Sequence, residues 1–364
     1  MDTSTSSAMA TKTLTAQCYC KSIHFTLTLP TSSLPLKTHL CHCSVCRHVH
    51  GMLCCFHAPL PSGIHPDFVS PSSKDNLTAY PTRNALRYFC STCGCHIGDS
   101  DNEGKDEWVI SSSIFEPSGD SGDRVWDFGS HIYADENSTR DGGLAVWLPE
   151  IGGKTMKHIN LDPPGEPTPQ APPPPEPVKG RDGEDRLLAQ CHCGGISFTI
   201  SRPDPSKLAL HEPLQKIPSA RDPAKYRASI DFCDECRLQT GTHITAWTFV
   251  AASATSPRIP PSLQIGTAKT YQSSPGVLRA FCSVCGASVF YTTAGKTFED
   301  GELQLDVMVG VLRAPEGVRA EKWLDWNLGS GSYEKDGENF DKVFADAVRE
   351  GMRRWGLEKN GEGR

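Results

Sequence analysis

The chain has 364 residues, a length that suits two domains better than one, with 36 Lys and Arg against 43 Asp and Glu. A formal net charge of −7 argues against a nucleic-acid binder held by phosphate neutralisation, and no apolar run is long enough to span a bilayer. The Ser/Thr-rich start, Met1–Thr15, lacks the apolar core of a secretory signal, so the 16 cysteines are expected as free thiols in a reducing, cytoplasmic compartment.

In chain order, Cys18-x-Cys20 is followed by an alternating run, Ile23 to Leu29, that predicts a strand ending at Pro30. Next comes Cys41-x-Cys43-x-x-Cys46-Arg47-x-x-x-Gly51. Leu86 to Phe89 reads as a strand entering the knuckle Cys90-x-x-Cys93-Gly94, and Trp108 to Ser111 as a later strand. The stretch from Pro163 to Glu184, with its run Pro172 to Pro175, cannot build a core and predicts an extended spacer. The same grid then returns: Cys191-x-Cys193 and a strand at Ile196 to Ile200; Asp231-x-Cys233-x-x-Cys236-Arg237-x-x-x-Gly241; Leu278 to Phe281 into Cys282-x-x-Cys285-Gly286; and a strand at Leu303 to Val309. The loop between Pro203 and Ala228 is longer than its counterpart and is expected on the surface. Phe340, Val343, Phe344, Ala347, Val348, Met352 and Trp355 fall at helical spacing and predict an amphipathic C-terminal helix packed on one of the modules. The chain therefore reads as a first module at 13–150, a Pro-rich linker at 151–186 and a second module at 187–364, mainly β in class.

Thiols at CxC and CxxC spacing are chelating geometry for a tetrahedral soft-liking cation, with zinc the default. Cys18, Cys20, Cys90 and Cys93 complete a closed tetrathiolate shell, and Cys191, Cys193, Cys282 and Cys285 repeat it. Such clips tie distant strands together and are structural. Cys41, Cys43 and Cys46 supply three sulfurs and leave a fourth position open, the pattern of a catalytic or exchangeable zinc. Alternatively a fourth ligand closes that site, with Cys54, Cys55, Cys95, His42, His48, His50 and His57 as candidates. In the second copy Asp231 joins Cys233 and Cys236, either as a harder mixed site or as a degenerate, empty one. Arg47, Arg87, Arg237 and Arg279 recur beside the cysteines; they can pair with a substrate carboxylate or bond loop carbonyls. His48 and His50 are the first candidates for moving protons. Gly51 and Gly241 mark a turn with positive φ or a close backbone approach.

The grid CxC, CxCxxCRxxxG and FCxxCG resembles the glutathione-dependent formaldehyde-activating enzyme family, which also includes centromere protein V. The resemblance spans each module. It implies two tandem β-tent modules, antiparallel sheets stapled by zinc. It also implies carbon–sulfur lyase activity joining formaldehyde to glutathione, with glutathione as a possible co-substrate. Carried over residue by residue, Cys18, Cys20, Cys90 and Cys93 hold structural zinc, as do Cys191, Cys193, Cys282 and Cys285. Cys41, Cys43 and Cys46 hold the exchangeable ion, and Asp231 departs from the pattern in the second copy. The expectation is two structural and one or two exchangeable zinc ions, and a small-molecule carbonyl or thiol-adduct substrate. A zinc Lewis-acid dehydratase, isomerase or hydrolase without substrate sulfur is the alternative, as is a non-catalytic zinc-stapled interaction module.

Overall fold

The computed structural model describes residues 10–101, 107–117, 124–161 and 175–360. Most of the Ser/Thr-rich start and the Pro-rich run at 162–174 lie outside the described residues. The described chain is mainly β, in five sheets, with a helix at its C-terminal end. Among the described residues no helix is long and apolar enough to cross a membrane.

Each module pairs a small sheet with a large one. In the first, Thr11–Gln17 and His24–Pro30 pair antiparallel beside Asp67–Phe68. The larger sheet runs, edge to edge, through Lys157–Ile159, Trp126–Ile132, Leu36–Cys41, Cys55–Pro59, Trp108–Ser111, His96–Asp101, Ala85–Cys90 and Leu77–Pro81. Its edge strand at 157–159 lies inside the segment whose composition points to linker.

The second module repeats the plan. Asp185–Gln190 pairs with Ser197–Ile200, and the larger sheet runs through Ala268–Ser274, Val277–Cys282, Ser288–Thr293, Gln304–Met308, Thr245–Ala251, Tyr226–Asp231 and Leu324–Trp326. The strand leading to the inner ligands pairs parallel to a late strand in both copies, Leu36–Cys41 with Trp126–Ile132 and Tyr226–Asp231 with Leu324–Trp326. The 203–228 loop carries two short helical turns; Leu210 is exposed, while Leu208, Leu214 and Ile217 are buried.

The modules exchange their inner helices. Ser44–His50 follows the first triplet and lies against the second module's outer cysteines, where the His192 amide donates to the His48 carbonyl (3.2 Å). Asp234–Thr240 does the reverse: the Tyr19 amide donates to the Leu238 carbonyl (3.0 Å), and Gln239 Nε2 donates to the Cys93 carbonyl (2.8 Å). Gly51 and Gly241 close these helices at φ +77 and +73, and a Cβ on either would lie 2.1 Å from a backbone oxygen of the opposite module, Ser288 or His96. Positive φ and close backbone approach are thus both required, which only glycine meets.

The C-terminal helix, Glu334–Asn360, kinks at Asp341, whose Oδ1 accepts the Phe344 amide. Its apolar stripe packs on both modules: Phe344 meets Phe56 and Phe128 of the first and His243 of the second at ring distances of 5.4, 5.8 and 5.0 Å.

Candidate metal centres

Among the described residues four groups of side chains converge closely enough to share a cation. In the outer clip of the first module, Cys18 and Cys20 precede one strand while Cys90 and Cys93 end another. The Cys18–Cys20 and Cys20–Cys90 sulfur separations are both 3.5 Å. The second clip gives 3.6 Å for Cys191–Cys193 and 3.4 Å for Cys193–Cys282. These are far longer than a disulfide, at about 2.05 Å. They approach the edge of a tetrahedron with metal–sulfur bonds of about 2.3 Å, roughly 3.8 Å.

The thiols are also electronically arranged for a cation. Neighbouring thiols draw Cys20 and Cys282 far below the ordinary thiol range, through Cys18, Cys90 and Cys93 in one case and Cys191 and Cys285 in the other. Clustered sulfurs, one of them drawn toward the thiolate form, fit zinc by spacing and by donor chemistry.

Sequence spacing leaves the fourth position of the first inner triplet open. The structure brings Cys55 beside two of these sulfurs: Cys41, Cys46 and Cys55 form one group, and Cys43 lies against Cys41 and Cys46. Register explains this, because Cys55 is the direct cross-strand partner of Cys41. Cys43 caps the Ser44–His50 helix, its sulfur accepting the Cys46 amide (3.4 Å). The Cys41, Cys43 and Cys55 thiols hold Cys46 well below the ordinary range. The four cysteines are buried, none above 7% exposed.

Around them lies a polar, buried shell. Cys55 Sγ is 3.4 Å from His57 Nδ1, which is in turn 3.4 Å from Asp99 Oδ2. Asp99 is ion-paired to Arg87, its cross-strand partner. Burial opposes the Arg87 charge, yet Asp99 with Cys46, Cys43 and Cys55 holds the guanidinium above its ordinary range. Burial pushes His57 down to about 4 and His96 to about 3, so both are neutral near pH 7. His57 Nε2, His96 Nε2 and Arg87 Nε are buried and find no hydrogen-bond partner among the described residues.

The other expected site residues divide. His50 stands beside this centre: its Nδ1 donates to the Cys46 carbonyl (2.9 Å) and its ring lies 4.1 Å from that of His96. His48 instead lines a separate cavity between the modules, with Arg47. Arg47 bonds loop carbonyls, Nε to His42 (2.8 Å) and a terminal nitrogen to Ser138 (3.2 Å), and burial lowers it to about 10.

In the second module Asp231, Cys233 and Cys236 form the fourth group, and they open onto a cavity of about 440 Å³. Asp231 Oδ1 accepts the Cys233 amide (2.8 Å), and burial raises its carboxyl to about 6. The Cys236 thiol draws Cys233 below the ordinary range. Thr245 faces Asp231 across the strands where the first copy has Cys55, so among the described residues no third sulfur joins the group. One carboxylate and two thiols beside open space suit zinc with an exchangeable position.

Arg279 reaches the centre, donating to Cys236 Sγ (3.4 Å) and lying 3.6 Å from Glu235. Its cross-strand partner Tyr291 lines the cavity, and burial raises the phenol to about 12. Lys296 pairs with the buried Asp306 at 2.6 Å. Asp99, Tyr291 and Asp306 escape sequence reasoning because only strand register places them beside Arg87, Arg279 or the cavity, and Lys296 reaches Asp306 from the turn that follows.

A family model described as glutathione-dependent formaldehyde-activating enzyme matches residues 13–135 and 216–325, one segment in each module. Among curated proteins no relative matches.

Proposed function

This chain belongs to the glutathione-dependent formaldehyde-activating enzyme family, and we propose that it is a zinc-dependent, carbon–sulfur lyase-like enzyme acting on a glutathione-type thiol adduct of a carbonyl compound. Its two sheet pairs are read as tandem β-tents. The outer tetrathiolate clips and the Cys41/Cys43/Cys46/Cys55 centre act as scaffold, and the reaction is placed at Asp231, Cys233 and Cys236. The carrying observation is the contrast between the two inner centres: in the first, the buried sulfurs of Cys41, Cys46 and Cys55 with Cys43 against two of them; in the second, one carboxylate and two thiols beside a 440 Å³ cavity.

Asp231, Cys233 and Cys236 would hold zinc, which would supply Lewis acidity toward a substrate thiol and a carbonyl oxygen. The protein contributes the surroundings. Arg279, fixed by Glu235 and Cys236, puts a permanent positive charge next to sulfur and favours the anionic state there. Tyr291 keeps its proton near neutral pH and offers a hydrogen bond to a developing oxyanion. The lining mixes Arg279 and Lys296 with Glu235 and Asp336, which suits a zwitterionic thiol bearing both carboxylates and an ammonium group. In the cleavage direction the adduct hydroxyl loses its proton as the C=O bond forms, the C–S bond breaks, and the departing sulfur takes up a proton.

The test is turnover of glutathione–aldehyde mixtures by NMR, with zinc counted per chain. Cys233→Ala should lose one chelator-labile zinc and the turnover, with fold and remaining zinc intact. A second reading rests on His57, whose Nδ1 lies beside Cys55 and whose Nε2 is buried with no partner among the described residues: Cys55 leaves the first centre and opens it. Full turnover in Cys233→Ala but none in Cys46→Ala, with Cys55→Ser still active, would replace the first reading with the second.

A further inference from the structure

Ser229, Phe249 and Ser332 line the cavity at the Asp231/Cys233/Cys236 centre, and they also line a second, larger one of about 710 Å³. The two spaces meet across these residues and form one cleft. Strand geometry lays out its floor. Side chains two apart on a strand share a face, so Arg227, Ser229 and Asp231 stand in one row. Trp247, directly opposite Ser229, and Phe249 stand in the row beside it. Asp231 marks the ligand end. Arg227 lines the larger cavity, roughly 13 Å farther along the backbone.

The repeat shows how the larger cavity arises. In the first copy the late strand stays paired as far as Ile132, opposite Cys41. In the second, pairing stops at Trp326, opposite Ala228, and the chain rejoins only at Ser332, opposite Asp231. Register makes Trp326 the counterpart of Phe128 and Ser332 that of Ile132, so the path over 327–331 is the longer one. It bows out, and Asn327, Leu328 and Gly329 line the space beneath. The next residue in each copy is a tyrosine with left-handed backbone, Tyr133 at φ 56 and Tyr333 at φ 53. Tyr133 is 7% exposed and packs with Cys41, Cys43, Cys46 and Cys55, whereas Tyr333 is 65% exposed and lines the metal cavity. The module whose inner centre gains no third sulfur is also the one whose cover is drawn back.

The chemistry of the cleft names its occupant. Trp247 and Phe249 set aromatic rings along the floor. Arg221 bonds both oxygens of Asp325 (2.9 and 2.6 Å), and Arg353 forks onto Glu350 (2.9 and 2.8 Å). Arg227 has no carboxylate partner among the described residues; its guanidinium lies 5.5 Å from the Phe249 ring centre. Small-molecule sites span about 300–1,000 Å³. Formaldehyde, one carbon and one oxygen, would leave such a space unfilled. Resting on the reading of Asp231, Cys233 and Cys236 as the reactive centre, we propose that the larger cavity seats the carbonyl half of the substrate, an aromatic aldehyde bearing a carboxylate. Its ring lies over Phe249, and Arg227 meets the carboxylate with a planar fork that matches it.

The test is calorimetric titration of the full zinc-loaded chain with three unreactive thioethers, S-methylglutathione, S-benzylglutathione and S-(4-carboxybenzyl)glutathione. Affinity should rise in that order. Arg227→Gln should weaken the carboxybenzyl thioether at least about tenfold, the equivalent of one lost charge-assisted hydrogen bond. Arg227 is exposed on its strand, so the variant is expected to fold; should it not, the order in wild type decides. The proposal is overturned if that order fails, or if folded Arg227→Gln binds the carboxybenzyl thioether as wild type does. Turnover of glutathione–aldehyde mixtures is read separately. If none is turned over while the thioether order and its dependence on Arg227 hold, the reaction assignment falls and the cleft stands as a site for the group carried on sulfur. If mixtures are turned over but the thioethers bind alike, the cleft falls and the reaction assignment stands.

Discussion

Replacing Gly51 by alanine tests whether the modules are clasped through their inner helices. Two costs combine. At φ +77 any L-residue is strained, by roughly 1–2 kcal/mol. The added methyl would also lie 2.1 Å from Ser288 O, in a strand of the opposite module whose backbone is held by its neighbours. Overpacking of this kind costs about 1–3 kcal/mol more. Gly63 isolates the first cost: its φ is +78, and a Cβ there meets nothing within 4 Å. Urea unfolding should therefore place Gly63→Ala about 1 kcal/mol below wild type and Gly51→Ala about 2 kcal/mol or more below Gly63→Ala. Equal midpoints and slopes for the two variants would refute the clasp, because only the contact across the modules distinguishes them.

Three further outcomes follow from the same geometry. Cys55→Ser removes the fourth sulfur of the first inner centre, so one additional zinc should become labile in a stepwise chelator titration monitored by a colorimetric indicator. Phe344→Ala deletes a ring that touches both modules and should cost about 3–5 kcal/mol in chemical denaturation. Burial depresses His131 in the folded state to about 4, below an ordinary value of 6.5, so the unfolded chain takes up a proton that the native state refuses. The neutral ring's contribution is fully present above pH 6.5 and lost as pH falls toward 4, by up to about 3 kcal/mol. His131→Gln should flatten the fall in stability measured by urea melts across that window.

The ligand grid was legible because chelation demands short, fixed spacing, and both outer clips could be read directly from CxC and CxxC pairs. The inner glycines were legible for the same local reason. Cys55 could be named only as one fourth ligand among several, since its place depends on pairing opposite Cys41. Asp99 opposite Arg87 and Tyr291 opposite Arg279 depend on register in the same way. The exchange of helices was not legible at all. His48 and His192, or Gln239 and Cys93, meet across more than a hundred residues, and nothing local to either announces the other. Proximity in sequence likewise grouped His48 with His50, whereas a short helix turns the first toward the module boundary and the second toward the cysteines.

Covalent tandem linkage changes what a substitution can do. In a dimer of identical subunits related by a twofold axis, every altered residue appears twice, and a change that improves one site is imposed on its mate. Here the two halves embrace as such subunits would, yet each position is written once. Aspartate can stand at 231 while cysteine remains at 41, and serine at 44 while aspartate remains at 234. The arrangement keeps the mutual support of a symmetric pair and releases its two faces from having to be alike.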